Sequence, residues 1–236
     1  MHRKVMIGSI LVNILFLIGG LVLVQKLGGF RYLWYRIQNR GLAEVYDHRK
    51  NLFEMMPPKD SVTIFLGNSL TAYGEWAELF GRPDLLNRGI PGDGVEGVLA
   101  RLPEVLRHRP DRIFLMIGIN DLFFHEPDRV LKGYERLIDE IREKSPRTHL
   151  FVQSLLPVNN DLRPVGIKNE TIQKLNKDLA DLAKKKSVRF INLYPHFVGP
   201  SGALNPRYSL DGIHLNGEGY LIWKAALEKY VLRGTY

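Results

Sequence analysis

Three side chains have the types and order that nucleophilic attack on an ester requires. Ser69 follows Gly67 and Asn68 at the end of the apolar run VTIFLG, residues 62–67. A serine hydroxyl is a weak nucleophile near neutral pH and needs a base within hydrogen-bond reach. His214 is the candidate base. Asp211 lies three residues before it. At that spacing one turn of chain can set the carboxylate against the imidazole, fixing its tautomer and stabilising the imidazolium formed during attack. The reaction also creates an oxyanion that needs donors aimed at it. The Ser69 backbone N–H, a backbone N–H of the 89–94 glycine loop within NRGIPGDG (87–94) and the Asn120 side-chain amide in GIND (118–121) are available. Taken singly, Ser69 reads as a helix N-cap and His214 as a surface histidine.

Elements that could bring these residues together are legible in the hydrophobic pattern. Strands are predicted at 62–67, 85–88, 112–118, 148–155 and 188–193, and helices at 74–80, 94–107, 128–144, 167–185 and 217–231. Such alternation predicts a parallel sheet with helices on both faces. Ligands of these sheets sit beyond the carboxyl ends of the strands. The polar stretches at 67–69, 87–94 and 118–121 follow the first three strands, and SLDGIHLNGEG (209–219) precedes the last helix.

FLGNSLT, NRGIPGDGVEGVLARL, FLMIGIND and DGIHLNGEGY, in this order, resemble the successive blocks of the SGNH/GDSL hydrolase family, over roughly residues 60–232. The nearest flavour is the branch similar to platelet-activating-factor acetylhydrolase and to bacterial proteins of the sialate O-acetylesterase type. The resemblance implies a flavodoxin-like three-layer α/β/α sandwich with a five-stranded parallel sheet, and carboxylic-ester hydrolysis without a metal or cofactor. It implies Ser69 as nucleophile, Asp211 and His214 as its partners, and Ser69, Gly92 and Asn120 as oxyanion donors. Asn68 departs from the aspartate of the family's name motif, but none of these roles needs that side chain.

Rival chemistries have less support. Gly92-Asp93-Gly94-Val95-Glu96-Gly97 matches the dinucleotide fingerprint G-x-G-x-x-G, but the strand before it is short and the acid at the right distance, Asp121, belongs to the next loop. No P-loop or HExxH pattern occurs, and without cysteine there is no thiol chemistry. Asp93 and Asp121 read as loop braces. A transacylase would use the same acyl-enzyme and would be separated by acceptor competition. A catalytically inactive binding subunit would have no need of all five residues.

Substrate contacts are expected from Tyr73 and Trp76 after the nucleophile, from Phe123 after GIND, and from Asn159 and Arg163 in the polar segment PVNNDLRPVGIKNE (157–170). Packing of the first helix accounts equally well for Tyr73 and Trp76. Aromatic closure by Phe123 and Phe124 suits a short acyl group such as acetyl. The polar segment suits a hydroxyl-rich alcohol, giving an O-acetylated carbohydrate as the expected substrate. A lysophospholipid or thioester lipid is the alternative.

The chain has 236 residues and a net charge of +8, of which residues 1–50 carry +6 and the remaining 186 carry +2. Nucleic-acid binding would spread that charge over the folded domain. Here it flanks VMIGSILVNILFLIGGLVLV (5–24), twenty uncharged residues, enough to cross a hydrocarbon core as a helix. Tyr32, Trp34 and Tyr35 follow as an interfacial belt. The expected organisation is a signal-anchor helix at 1–25, a juxtamembrane stem at 26–59 and a hydrolase domain at 60–236, with the domain outside the cytoplasm. A cleaved signal peptide is the alternative.

Overall fold

The computed structural model describes residues 13–22, 24 and 40–232. The chain divides into two units between Ala43 and Glu44. In the first, residues 13–22 are helical, and Leu15, Phe16 and Leu17 are exposed. The rest of the expected span 5–24, residue 24 apart, lies outside the described residues. Among the described residues no helix is long and apolar enough to cross a membrane.

The second unit, Glu44–Tyr236, is built on a parallel sheet of five strands: β1 (Thr63–Gly67), β2 (Leu85–Gly89), β3 (Arg112–Met116), β4 (His149–Gln153) and β5 (Arg189–Ile191). Their order is β2-β1-β3-β4-β5. All five residues of β1 are buried, as expected of a central parallel strand covered on both faces, which reads as a continuous apolar run. On one face Phe65, Phe114 and Phe151 stack across three strands at centroid separations of 5.1 and 4.6 Å. Trp76 of α3 (Trp76–Phe80) lies flat on Phe65 at 4.1 Å, and Trp223 of α9 (Gly217–Val231) meets Trp76 edge-on at 4.9 Å. On the other face lie α4 (Val95–Ala100), α6 (Pro127–Lys144) and α7 (Asn169–Lys185), packed side by side. Tyr134 of α6 donates its hydroxyl to the carbonyl of Ile117 at 2.7 Å and accepts from the Ile117 N–H at 3.0 Å, holding the chain just past β3.

The helix expected over 94–107 is two helices. α4 ends at Arg101, and α5 (Leu102–Leu106) begins there with Pro103 in its first turn. Proline lacks the N–H that would continue the ladder. β3 stops at Met116 rather than at 118, and β5 spans three residues.

The stretch expected as a juxtamembrane stem contains α1 (Arg40–Met55). From Glu44 onward it belongs to the compact unit. The Tyr46 hydroxyl donates to the Gly97 carbonyl at 3.0 Å, and Arg49 reaches the Gly89 carbonyl at 3.5 Å. Phe53, 3% exposed, lies between the guanidinium groups of Arg49 and Arg88, 4.8 and 4.5 Å from its ring centre. Beneath it, Glu104 accepts from Arg88 Nε at 3.1 Å, and His108 Nε2 lies at 3.1 Å from the same carboxylate oxygen. The segment 44–59 is thus joined to the domain by an apolar anchor over a buried polar network.

Candidate active site

The strand order places the reversal of winding at β1 and β3, and the crevice beyond their carboxyl ends is where such a sheet offers a site. Asn68 leaves β1 there and caps α2 (Ser69–Ala72), its Oδ1 accepting from the Leu70 N–H at 3.0 Å. Asparagine and aspartate are both good N-caps, so the departure at this position keeps the local geometry. Ser69 is the first residue of α2 and is 8% exposed.

Ser69 Oγ lies 2.9 Å from His214 Nε2, and His214 Nδ1 lies 2.6 Å from Asp211 Oδ2. The other carboxylate oxygen, Oδ1, accepts from the backbone N–H groups of Ile213 at 3.0 Å and His214 at 2.8 Å. Partial burial would raise the Asp211 carboxyl, but the His214 ring and these two N–H donors outweigh it and hold it at about 2. Asp211 is therefore ionised across the range in which an imidazole can serve as a base. Two further bonds steady the loop. Ser209 Oγ accepts from the Gly212 N–H at 2.9 Å, and the Tyr220 hydroxyl of α9 donates to the Leu70 carbonyl at 2.7 Å, tying the helix after His214 to the helix of Ser69.

The loops after β2 and β3 converge on the same edge. Gly67 pairs with Gly89 on one side and Met116 on the other, and the Ile90 N–H donates to the Gly67 carbonyl at 3.1 Å. Gly92 has φ of 79°, the left-handed region that favours glycine. Asn120 Nδ2 donates to the Asp93 carbonyl at 2.8 Å, joining the two loops. An amide nitrogen carries two hydrogens, so a second N–H remains for another acceptor. Asp93 Oδ1 accepts from the Gly94 N–H at 2.9 Å, and Asp121 accepts from the Val95 N–H with both oxygens at 3.2 Å. That carboxylate occupies the start of α4, where a dinucleotide would need to place its pyrophosphate.

The expected substrate residues separate into two groups. Tyr73 is 52% exposed, with its ring centre 5.4 Å from that of His214, and so borders the site. Phe123 is half-buried in the 3₁₀ turn after Asn120, and Arg163 is exposed. Trp76, in contrast, is 1% exposed and belongs to the core, its Nε1 donating to the Thr71 carbonyl at 2.9 Å. It does not wall a substrate pocket. The i, i+4 spacing of Trp76 and Phe80 on one short helix is the signal for this, since both meet Phe65. Asn159 is also a correction. It is 5% exposed, its Nδ2 donates to the Leu204 carbonyl, and its Oδ1 accepts from the N–H groups of Asp161 and Leu162. These side-chain bonds all go to backbone, because a buried amide left unpaired is costly.

Sequence reasoning also left out Asn87, Arg88 and Arg101. Asn87 Nδ2 donates to the carbonyls of Ala72 and Gly74, fastening the chain beyond α2 to β2. Arg101 is 1% exposed and ion-paired with Asp93. Nothing in an arginine's neighbours along the chain marks it as buried.

A model of the GDSL-like Lipase/Acylhydrolase family matches residues 60–222. The human platelet-activating factor acetylhydrolase IB subunit alpha1 is 29% identical over 206 residues, covering 85% of this chain and 83% of its own. The rat alpha2 subunit is 31% identical over 170 residues, covering 69% and 72%. Among solved structures, a Streptococcus pneumonia protein carrying the name platelet activating factor superposes with a TM-score of 0.77 at 26% identity, over 84% of this chain and 98% of its own. A mutant form of an acetyl-xylooligosaccharide esterase from Geobacillus shares the fold with a TM-score of 0.61 at 19% identity, over 76% and 98%. With the family model spanning well over half its length, the chain belongs to the GDSL-like lipase/acylhydrolase family and is a carboxylic ester hydrolase.

Proposed function

We propose that this protein is a serine esterase for short-chain carboxylic esters, with Ser69 as nucleophile, His214 as general base and acid, and Asp211 as its orienting carboxylate. The observation that carries the reading is the continuous relay from Ser69 Oγ through both imidazole nitrogens to Asp211, at 2.9 and 2.6 Å. His214 Nε2 takes the hydroxyl proton as Oγ bonds to the ester carbonyl carbon. Asp211 keeps the Nδ1 proton in place and balances the imidazolium charge. The oxyanion is received by the backbone N–H groups of Ser69 and Gly92 and by the free N–H of Asn120. The imidazolium then returns its proton to the departing alcohol, leaving an acyl-serine. Water, activated by the same imidazole, releases the acid.

A short acyl group is favoured by the half-buried Phe123 and by the acetyl esterases among the named relatives. The alcohol is a finer question. The carbohydrate expectation drew on Asn159, Asn160, Asp161 and Arg163. Asn159 and Asn160 are engaged with backbone, and Asp161 and Arg163 remain exposed. A second reading, an amphiphilic lipid alcohol, is favoured by exposed apolar residues beside the relay. Tyr73 is 52%, Leu162 44% and Leu210 86% exposed, and Leu162 packs beside Gly212. Two measurements separate these. Along a p-nitrophenyl ester series kcat/KM is highest at acetyl and falls by hexanoyl. An apolar acyl groove would instead add up to about 0.8 kcal/mol per methylene, and efficiency climbing through octanoyl overturns the short-acyl reading. Acetate release is then compared between acetylated xylo-oligosaccharide and an acetyl glycerophospholipid. Faster release from the sugar, unaffected by Leu210→Ser, supports carbohydrate. Faster release from the lipid, lowered by that substitution, supports the amphiphile.

The apolar stretch 5–24 is proposed as an uncleaved anchor that leaves the catalytic unit outside the cytoplasm. Its uncharged length supports this, as do the exposed apolar side chains of the helical residues 13–22. Full-length protein is expected to stay in the membrane pellet after alkaline extraction, and protease added to spheroplasts to digest the domain. Release by alkali, or complete protection, would refute the respective half.

A further inference from the structure

We propose that the buried Arg101–Asp93 pair is the positioning element of the oxyanion hole, a reading that rests on the serine esterase function above. Both side chains are 1% exposed. Arg101 Nε donates to Asp93 Oδ2 at 2.9 Å, and Arg101 Nη2 donates to the Gly67 carbonyl at 3.1 Å, two residues before Ser69. Asp93 directly follows Gly92. Its Oδ1 holds the Gly94 N–H at 2.9 Å, its backbone N–H donates to the Ile90 carbonyl at 3.2 Å, and its carbonyl receives Asn120 Nδ2 at 2.8 Å. The side chains of the pair thus touch the strand end that presents Ser69 and the loop that carries Gly92, and the Asp93 backbone carbonyl holds the amide of Asn120. These are the segments that supply all three oxyanion donors.

The surroundings are shaped to admit this pair. A Cβ added at Gly97 would lie 1.9 Å from Asp93 Oδ1, so α4 can pass the carboxylate only with glycine there. The Tyr46 hydroxyl closes the same spot by bonding to the Gly97 carbonyl. Fold stability alone is a weak reason for the arrangement. A buried ion pair commonly adds little over an apolar pair of the same volume, and Arg101 Nη1 is buried with no partner among the described residues. What the pair supplies that apolar side chains cannot is directional bonding to two backbone groups, the Gly67 carbonyl and the Gly94 N–H, on either side of the site. Donors held at fixed positions stabilise the developing oxyanion without reorganising during the reaction. Arg101 and Asp93 touch no reacting atom, so they are positioning residues.

The test is a double-mutant cycle on a soluble acetyl ester. Asn120→Ala alone is expected to lower kcat by roughly 10²–10³, the effect of losing one oxyanion donor. Arg101→Met in the wild-type background should lower kcat by roughly 10–100-fold with KM changed by less than about twofold, the pattern of an interaction made in the transition state. In the Asn120→Ala background the same substitution should cost measurably less than in wild type, because the share of its effect that runs through the Asn120 donor is already gone while the shares through Ser69 and Gly92 remain. Equal losses in the two backgrounds, or an unchanged kcat, would overturn the proposal. Should Arg101→Met fail to fold, the near-isosteric Asp93→Asn, which keeps an acceptor for the Gly94 N–H, runs the same cycle with the same criteria. Ser69→Ala is measured alongside. Activity surviving in that variant refutes the esterase mechanism itself, whereas a dead Ser69→Ala beside a fully active Arg101→Met refutes only the positioning role.

Discussion

Replacing Ser69 by alanine is expected to abolish ester hydrolysis, lowering turnover on the order of 10⁶-fold. The hydroxyl oxygen removed makes its side-chain bond to His214 Nε2 and sits in a nearly closed site, so alanine leaves no large void and the fold should persist. The size of the effect follows from the chemistry. Among the described residues no other hydroxyl side chain is bonded to His214, and without an attacking atom the aligned base has nothing to deprotonate. An organophosphorus probe should label wild-type protein once, at Ser69, and leave the alanine variant unlabelled. Turnover close to wild type in that variant, or label on a different residue, would remove Ser69 from the mechanism.

Asp211→Asn should lower kcat by about 10⁴-fold and, near neutral pH, remove the stability that the ionised carboxylate contributes. The reason lies in which atoms donate. The amide oxygen of asparagine can keep the two backbone N–H bonds from Ile213 and His214 now made by Oδ1. The amide nitrogen then faces His214 Nδ1, and two donors cannot share a hydrogen bond. The imidazole is driven to carry its proton on Nε2, where it donates to Ser69 instead of accepting from it. The pH dependence follows the same bonds. An aspartate in the unfolded chain titrates near ~3.9, whereas folded Asp211 is held at about 2. Between these values the unfolded state binds more protons, so this group's contribution to stability is fully present above ~4 and is lost as pH falls toward about 2. A kcat within tenfold of wild type would argue against the orienting role, and acid unfolding unaltered by the substitution would argue against the linkage.

The residues that could be read from sequence were those whose types are unusual for their local pattern. A strand such as TIFLG that ends in Gly-Asn-Ser, or FLMIG that runs into Asn-Asp, places small polar residues where an apolar run would otherwise continue. Turn chemistry then fixes the strand end within a residue or two. That located the sheet edge, and with it Ser69, Asn120 and the glycine loop; Gly92 within that loop came from the family resemblance. Asp211 and His214 were legible because a three-residue spacing is local. What escaped was any property decided by contacts distant in the chain. Trp76 has the same neighbours in sequence whether it faces Phe65 or a substrate. Asn159 stands in a polar segment, yet its partner is the Leu204 carbonyl, forty-five residues on. The docking of α1 was the nearest miss. Tyr46, Arg49 and Phe53 recur at helical spacing along one face, and the phenylalanine at the end of that face needs a place to go.

That last feature bears on how the enzyme can be cut down for expression. The family match opens at residue 60, and Pro57-Pro58 invites a start there. A chain so shortened would lose the Phe53 ring that roofs the Arg88 guanidinium, and Arg107 would lose the Phe53 and Met56 carbonyls it now donates to. Water would enter above Glu104 and His108, which are now buried. Arg88 is the residue before Gly89, where the loop that carries Gly92 begins, so the damage would not stay at the margin. The compact unit begins at Glu44, and the sixteen residues from there to Lys59 pack as part of it.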